Sequence, residues 1–101
     1  MMNNLLKQAR EMQSKMSSMQ KELEANEMTV TGSGGAVTIK INGKQEILDL
    51  KINPEIVDPN DISFLELAVK TTINLAMKES QNAVKESMSK ITGGMNLPGL
   101  F

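Results

Sequence analysis

The sequence predicts an α+β chain made of an N-terminal helix, a three-stranded antiparallel sheet and a long C-terminal helix. Three observations lead there. Apolar residues recur at alternating spacings of four and three near the start, at strict alternation in the middle, and again at helical spacing towards the end. At 101 residues the chain suits one domain, with residues 1–92 as the α-β-β-β-α unit and 93–101 as an apolar tail containing Gly and Pro.

The first element is a helix from about Asn4 to about Ala25. Leu5, Ala9, Met12, Met16, Met19 and Leu23 form a heptad seam, with Lys, Gln, Glu and Ser filling the positions between. Such a helix is about 33 Å long, and a stripe of that length needs a long apolar partner, either in the same chain or in a second copy. These six residues are therefore expected at a dimer interface or in helix packing.

Alternation starts at Met28 and Val30, and Gly32-Ser33-Gly34-Gly35 comes next as a turn. In the next strand Val37, Ile39 and Ile41 share one face, with Thr38 and Lys40 on the other. Asn42-Gly43 reads as a type I′ hairpin turn. A third strand is expected to place Leu48, Leu50 and Ile52 on the core and Ile47, Asp49 and Lys51 opposite, and Pro54 and Pro59 close the sheet segment.

The last helix opens near Asp58 to Ser63, either with Asp58-Pro59 as cap and first turn or with Ser63 and Glu66 as a capping box. Its stripe runs through Ile62, Leu65, Val69, Ile73, Ala76, Val84, Met88 and Ile91, broadened by Leu67, Ala68 and Leu75. Thr92-Gly93-Gly94 ends it. The tail from Met95 to Phe101 is poorly helical and is disordered unless it docks on a surface. Three strands cover only about 20 Å of a helix, so a symmetric homodimer is expected to bury what the sheet leaves bare.

Composition narrows the function. With neither cysteine nor histidine, thiol and imidazole chemistry and nearly all zinc sites drop out. No nucleophile, base and orienter come together, so no enzyme, metal or cofactor is expected. Gly32-Ser33-Gly34-Gly35 lacks the Lys-Ser/Thr ending of a nucleotide loop, and Asp58 and Asp61 read as helix-capping residues. With Phe64 and Phe101 the only aromatic residues, base stacking is no binding mode. The chain lacks a membrane span or signal pattern and reads as soluble and cytoplasmic, with no membrane partner.

The net charge of −1 is unevenly spread. Up to Lys21 the chain carries Lys7, Arg10, Lys15 and Lys21 against the single acid Glu11, whereas from Glu22 to Met77 nine acids face four lysines. Lys7, Arg10, Ser14, Ser17 and Lys21 fall on the outward face of the first helix, three and four residues apart, as a stripe of phosphate donors. A solvated, solubilising face is the plainer reading of the same residues. It is also the better reading of Lys78, Lys85 and Lys90, which alternate with Glu79 and Glu86 on the last helix.

Taken together, these segments resemble the YbaB/EbfC family of bacterial nucleoid-associated proteins along nearly the whole chain. The resemblance is carried by Asn4-Leu5-Leu6-Lys7-Gln8-Ala9 with Met12-Gln13 and Lys15-Met16, by Val37-Thr38-Ile39 with Ile41-Asn42-Gly43, and by Ile52-Asn53-Pro54-Glu55 with Val57-Asp58-Pro59 and Asp61. Asn74-Leu75-Ala76 and the ending from Thr92 to Leu100 complete it. It implies a tweezer-like homodimer whose projecting helices contact double-stranded DNA in the nucleoid, with a role in nucleoid organisation or gene regulation. The family's DNA-facing basic residues map onto Lys7, Arg10, Lys15 and Lys21, and on the last helix onto Lys78, Lys85 and Lys90. The chain departs from the family pattern at Ser14, Ser17 and Ser18, where charge is commoner, and at Leu75, where Asp is usual. The low net charge favours a second reading, an adaptor that docks recombination or replication proteins through the Met-rich seam or the tail.

Overall fold

The computed structural model describes residues 2–92. Helix α1 (Met2–Ala25) leads into strands β1 (Glu27–Gly32), β2 (Val37–Asn42) and β3 (Ile47–Ile52), and helix α2 (Ile62–Thr92) closes the described chain. The strands form one antiparallel sheet in sequence order, with β2 central. The expected architecture is thus the observed one.

Alternation in the sheet is set by period-two geometry. Val37, Ile39 and Ile41 of β2 are completely buried against α2, flanked by the half-buried Met28 and Val30 of β1. The line that α2 presents to the sheet and its hairpin is made of small residues, the buried Ala68, Thr72, Ala76 and Ser80, and the buried Ala83 beyond them packs on α1. Small side chains let a helix approach a sheet closely. Thr72 keeps its hydroxyl satisfied by donating to the Ala68 carbonyl (2.8 Å), and its side chain lies directly over Gly32, where a Cβ would clash with it. The longer members of the expected stripe are only half-buried (Leu65, Val69, Ile73) or stay exposed (Ile62, Leu67, Leu75). The side chain of Ile91 lies outside the described residues.

The hairpin between β2 and β3 departs from the type I′ expectation. Its loop is Gly43-Lys44-Gln45, closed by Gln45 N–H donating to the Asn42 carbonyl (3.2 Å) and Asn42 N–H to that of Glu46 (3.1 Å). The positive φ falls on Gln45 (64°), the pattern of a turn followed by a left-handed residue. Gly43 serves a different purpose, which is close approach. A Cβ there would lie 2.7 Å from Leu23 Cδ2 and 2.9 Å from the Leu23 carbonyl oxygen, which accepts the Gly43 N–H at 2.8 Å.

On its other side the loop is fastened to α2. The buried Ser80 hydroxyl donates to the Asn42 carbonyl (2.8 Å) and accepts the Gln45 N–H (3.0 Å). Asn42 Oδ1 accepts from Lys44 and Glu46 N–H, and its Nδ2 donates to Glu46 Oε1. One hairpin loop therefore ties the end of α1 to the middle of α2. Ser80→Ala removes both hydrogen bonds from α2 to the loop and leaves the Gln45 N–H and the Asn42 carbonyl only their mutual 3.2 Å bond, and the expected cost is about 1–2 kcal/mol, measurable as a lower urea midpoint with an unchanged far-ultraviolet circular dichroism spectrum.

Strand β3 also differs from expectation. The register pairs Val37 with Ile52, Ile39 with Leu50 and Lys40 with Asp49, then slips so that Ile41 pairs with Ile47. Leu48 is the extra residue of a bulge, and Ile47 lies opposite the core residue Ile41, not on the outer face. Burial of β3 is also less than expected. Because α2 lies over β1 and β2, Ile47, Leu48 and Leu50 remain exposed on the sheet edge. Beside them Ile52, Leu65, Val69 and Ile73 line an open groove of about 460 Å³ between β3 and α2.

The entry to α2 uses neither Asp58-Pro59 nor the Ser63–Glu66 box, but the second of the two aspartates read as capping residues. Asp61 is the residue before the helix, and its Oδ1 accepts the Phe64 N–H (3.3 Å), while Asp58 Oδ1 accepts from Asn60 N–H in the preceding turn. Gly32-Ser33-Gly34-Gly35 forms a tight turn between β1 and β2, with positive φ at Ser33, Gly34 and Gly35.

Candidate nucleic-acid interface

Helix α1 is held at its C-terminal end only. Met19 and Leu23 are buried and Met16 is half-buried, packed on Ala83, Val84 and Met88 of α2 and on Met28. This places half of the expected seam in helix packing within the chain. Leu5, Ala9 and Met12 belong to an arm, residues 2–15, in which every residue is exposed.

The contacts fix the direction of the two helices. Leu23 lies at the hairpin loop beside Ser80, Met19 packs with Ala83, and Ser14, Lys15 and Ser18 share a groove with Ser87 and Lys90. Helices α1 and α2 therefore run antiparallel, and α2 comes to its end alongside the middle of α1.

Successive residues turn by about 100° on a helix, so Met16, Met19 and Leu23 on the packed side put Lys7, Arg10, Ser14, Ser17 and Lys21 on the opposite, outward side. Arg10, Gln13, Ser14, Ser17, Ser18 and Lys21 line one shallow concavity along that face. Four of the five residues of the stripe, Arg10, Ser14, Ser17 and Lys21, thus share one surface of cations, hydroxyls and an amide, and Lys7 lies on the same side of the helix about one turn before Arg10. Gln13 and Ser18 extend that surface, and three-four spacing alone had left them out.

Lys15 stands elsewhere. It flanks the seam and faces Lys90 across the α1–α2 groove, with Glu22 in the same lining. Lys78 and Lys85 are seven residues apart on α2 and exposed, on the side turned away from its buried line of Ala68, Thr72, Ala76 and Ser80. The seven candidate basic residues thus divide into an outward α1 stripe, two lysines that line the groove between the helices, and an outward α2 pair. Sequence reasoning missed the meeting of Lys15 and Lys90, because they are distant in the chain and only the antiparallel packing brings them together.

Lys40–Glu27 (3.2 Å), Lys44–Glu24 (4.0 Å) and Lys51–Asp49 (4.0 Å) form ion pairs, all solvent-exposed and all in or next to the sheet. Among the described residues none of these pairs engages a lysine or arginine of the two helices, whose cations remain available to an external anion. Groups of three or more metal-ligating side chains are absent among the described residues, and no described helix is long and apolar enough to cross a membrane.

Comparison with known proteins agrees with this geometry. A solved structure of an uncharacterized protein from Helicobacter pylori shares the fold, with a TM-score of 0.80 at 20% identity over 88% of this chain and 94% of that one. A nucleoid-associated protein of Clostridium kluyveri is 47% identical over 100 residues, which is 99% of this chain and 88% of the relative. One from Clostridium perfringens is 48% identical over 99% of this chain and 89% of its own length, and one from Thermoanaerobacter pseudethanolicus is 40% identical over 98% and 89%. The profile of the YbaB/EbfC DNA-binding family matches residues 1–95, and the chain belongs to that family.

Proposed function

We propose that the protein is a homodimeric, nucleoid-associated component of the bacterial cytoplasm that binds duplex DNA with little sequence specificity and contributes to nucleoid organisation or gene regulation. The observation that carries the reading is the outward face of α1, where Lys7, Arg10 and Lys21 stand with serine hydroxyls and without an ion-pair partner among the described residues. Cations and hydroxyls at this spacing bind phosphate oxygens, which every sequence presents alike. Neither helix offers the Arg- or Asn-rich recognition surface that reads base edges. Lys15 with Lys90, and Lys78 with Lys85, add contacts on the second helix.

Dimerisation is supported by β3. Its edge carries exposed Ile47, Leu48 and Leu50, continuous with the groove of Ile52, Leu65, Val69 and Ile73, and an exposed apolar edge strand is a pairing site. A patch that meets its own copy about a two-fold axis satisfies both at once. The duplicated basic stripes would then act on one duplex.

The test is titration of the purified chain onto two labelled duplexes of unrelated sequence, with its mass measured by light scattering at the same concentrations. The expected result is twice the chain mass of 11.1 kDa and dissociation constants agreeing within about threefold, since shared backbone contacts supply non-specific affinity. A monomer mass, or preference for one duplex by about a hundredfold, overturns the proposal. The adaptor reading, with recombination or replication proteins as partners, rests on the exposed α1 arm and the net charge of −1. Loss of all DNA binding at low salt would turn attention to it.

A further inference from the structure

Sulfur makes up much of the joint that holds α1 in place. Four of the seven residues packed there are methionines: Met19 is buried, and Met16 of α1, Met28 of β1 and Met88 of α2 are half-buried against it, with Leu23, Ala83 and Val84 as the rest. Elsewhere α1 is fastened at the hairpin loop, by the Gly43 N–H bond to the Leu23 carbonyl and the exposed Lys44–Glu24 pair. The arm of residues 2–15 has every residue exposed, so its direction follows from this joint.

The same sulfurs are within reach of small oxidants. A groove of about 330 Å³ between the helices carries Lys15, Ser18, Ser87 and Lys90 on its walls and the Met19 side chain as its apolar part, and a molecule as small as peroxide reaches that side chain along it. The sequence contains no cysteine, histidine, tryptophan or tyrosine, so the methionine thioethers are the side chains that a two-electron oxidant attacks first. Met2 and Met12 are 77% and 51% exposed and belong to neither buried cluster, so a sulfoxide there leaves the fold as it is. In the joint, a sulfoxide puts a polar, hydrated group where close packing needs an apolar one.

We propose that the α1–α2 joint is an oxidation-sensitive site, at which hydrogen peroxide converts Met16, Met19, Met28 and Met88 to sulfoxides and so frees α1 from α2. At each methionine the thioether sulfur attacks one peroxide oxygen and the O–O bond breaks. The sulfur gains that oxygen and gives up two electrons, and the proton on the transferred oxygen passes to the departing hydroxide, which leaves as water. Methionine sulfoxide reductases reverse the step with thiols as reductant: the sulfoxide oxygen leaves as water and two thiols join as a disulfide. A freed α1 no longer holds Lys7 and Arg10 in a fixed direction, and affinity for duplex DNA falls. That last consequence rests on the proposed phosphate-binding role of the stripe, whereas the loosening of α1 does not.

The test treats the full chain with hydrogen peroxide, beside the variant Met16→Leu/Met19→Leu/Met28→Leu/Met88→Leu, whose side chains keep nearly the same volume and resist oxidation, and the control Met2→Leu/Met12→Leu. Peptide mass spectrometry places the added oxygen, hydrogen exchange without DNA reads α1, and fluorescence anisotropy reads binding. In the unsubstituted protein and the control, oxygen is expected on the joint methionines. Amides of α1 around the joint should exchange about tenfold faster, with the sheet unchanged, and DNA affinity should weaken about tenfold. Sulfoxide reductases of both stereospecificities, supplied with a thiol, should restore both, and the fourfold leucine variant should respond to peroxide in neither. Oxygen found only outside the joint, unchanged α1 exchange after the joint is oxidised, or equal loosening of the fourfold variant overturns the proposal. So does failure of the reductases to restore α1 in the unsubstituted protein, an outcome that holds even if the leucines disturb packing. Loosened α1 with unmoved DNA affinity upholds the joint and counts against the stripe.

Discussion

Alanine at both Lys7 and Arg10 is expected to weaken binding to a random-sequence duplex by at least about tenfold near 100 mM salt, and by a similar factor on any other sequence. Each cation that neutralises a phosphate releases condensed counterions, contributing about 0.9 to the slope of log affinity against log salt. Removing two per protomer removes four in a dimer, so the slope should fall by about three to four units. Stability is not expected to change with it, since both side chains are exposed on the side of α1 turned away from its packing. Fluorescence anisotropy at several salt concentrations reads both effects, with thermal unfolding as the control. Unchanged affinity with intact folding would remove the outward stripe of α1 from the interface.

Gly43→Ala is the second large effect, and it acts through the fold. The added methyl would meet Leu23 Cδ2 at 2.7 Å, the Leu23 carbonyl oxygen at 2.9 Å and Leu23 Cα at 3.0 Å. Two of these three atoms are backbone, so no rotamer relieves the contact. The end of α1 must move off the hairpin loop, breaking the 2.8 Å bond from Gly43 N–H to the Leu23 carbonyl. Overpacking of this kind costs about 1–3 kcal/mol and the lost hydrogen bond about 1 more, for an expected loss of about 3 kcal/mol. Denaturant unfolding at matched protein concentration measures it. A change below about 0.5 kcal/mol would mean that the joint between loop and helix is loose. Because this joint sets the direction of the arm carrying Lys7 and Arg10, affinity for DNA should fall with it.

Residue pattern and structure agree where periodicity has one physical solution. Val37, Ile39 and Ile41 alternate with polar residues, and a strand with one buried face is the only regular element that satisfies them. The seam from Leu5 to Leu23 likewise admits only a helix. The expectation of an outward stripe of Lys7, Arg10, Ser14, Ser17 and Lys21 needed nothing more than that helix and the side on which it packs. Its use as a phosphate contact is a separate matter, which we propose from family membership and from the chemistry of the stripe.

Elsewhere the physics was tertiary. Asn42-Gly43 carries the composition of a type I′ turn, but contact with Leu23 claims the glycine for proximity, and the left-handed residue falls on Gln45. No local pattern marks the bulge at Leu48, which brings Ile47 opposite Ile41. Thr72 and Ser80 are polar by type yet completely buried, because each finds a hydrogen-bond partner and is small enough to let α2 approach the sheet. Asp61 takes the cap of α2 from two neighbours of equal capping chemistry on backbone geometry alone. Lys15 and Lys90 line one groove solely because the two helices pack antiparallel.

A phosphate-reading interface on the helices is tested most simply by the affinity of the full chain for a random-sequence duplex between about 50 and 200 mM salt, where phosphate-driven binding changes most steeply. With Lys7, Arg10 and Lys21 each contacting phosphate in both protomers, log affinity should fall linearly with log salt at a slope near about −5, at about 0.9 per contact. Binding that is absent at the lowest salt, or present and indifferent to salt, would contradict such an interface.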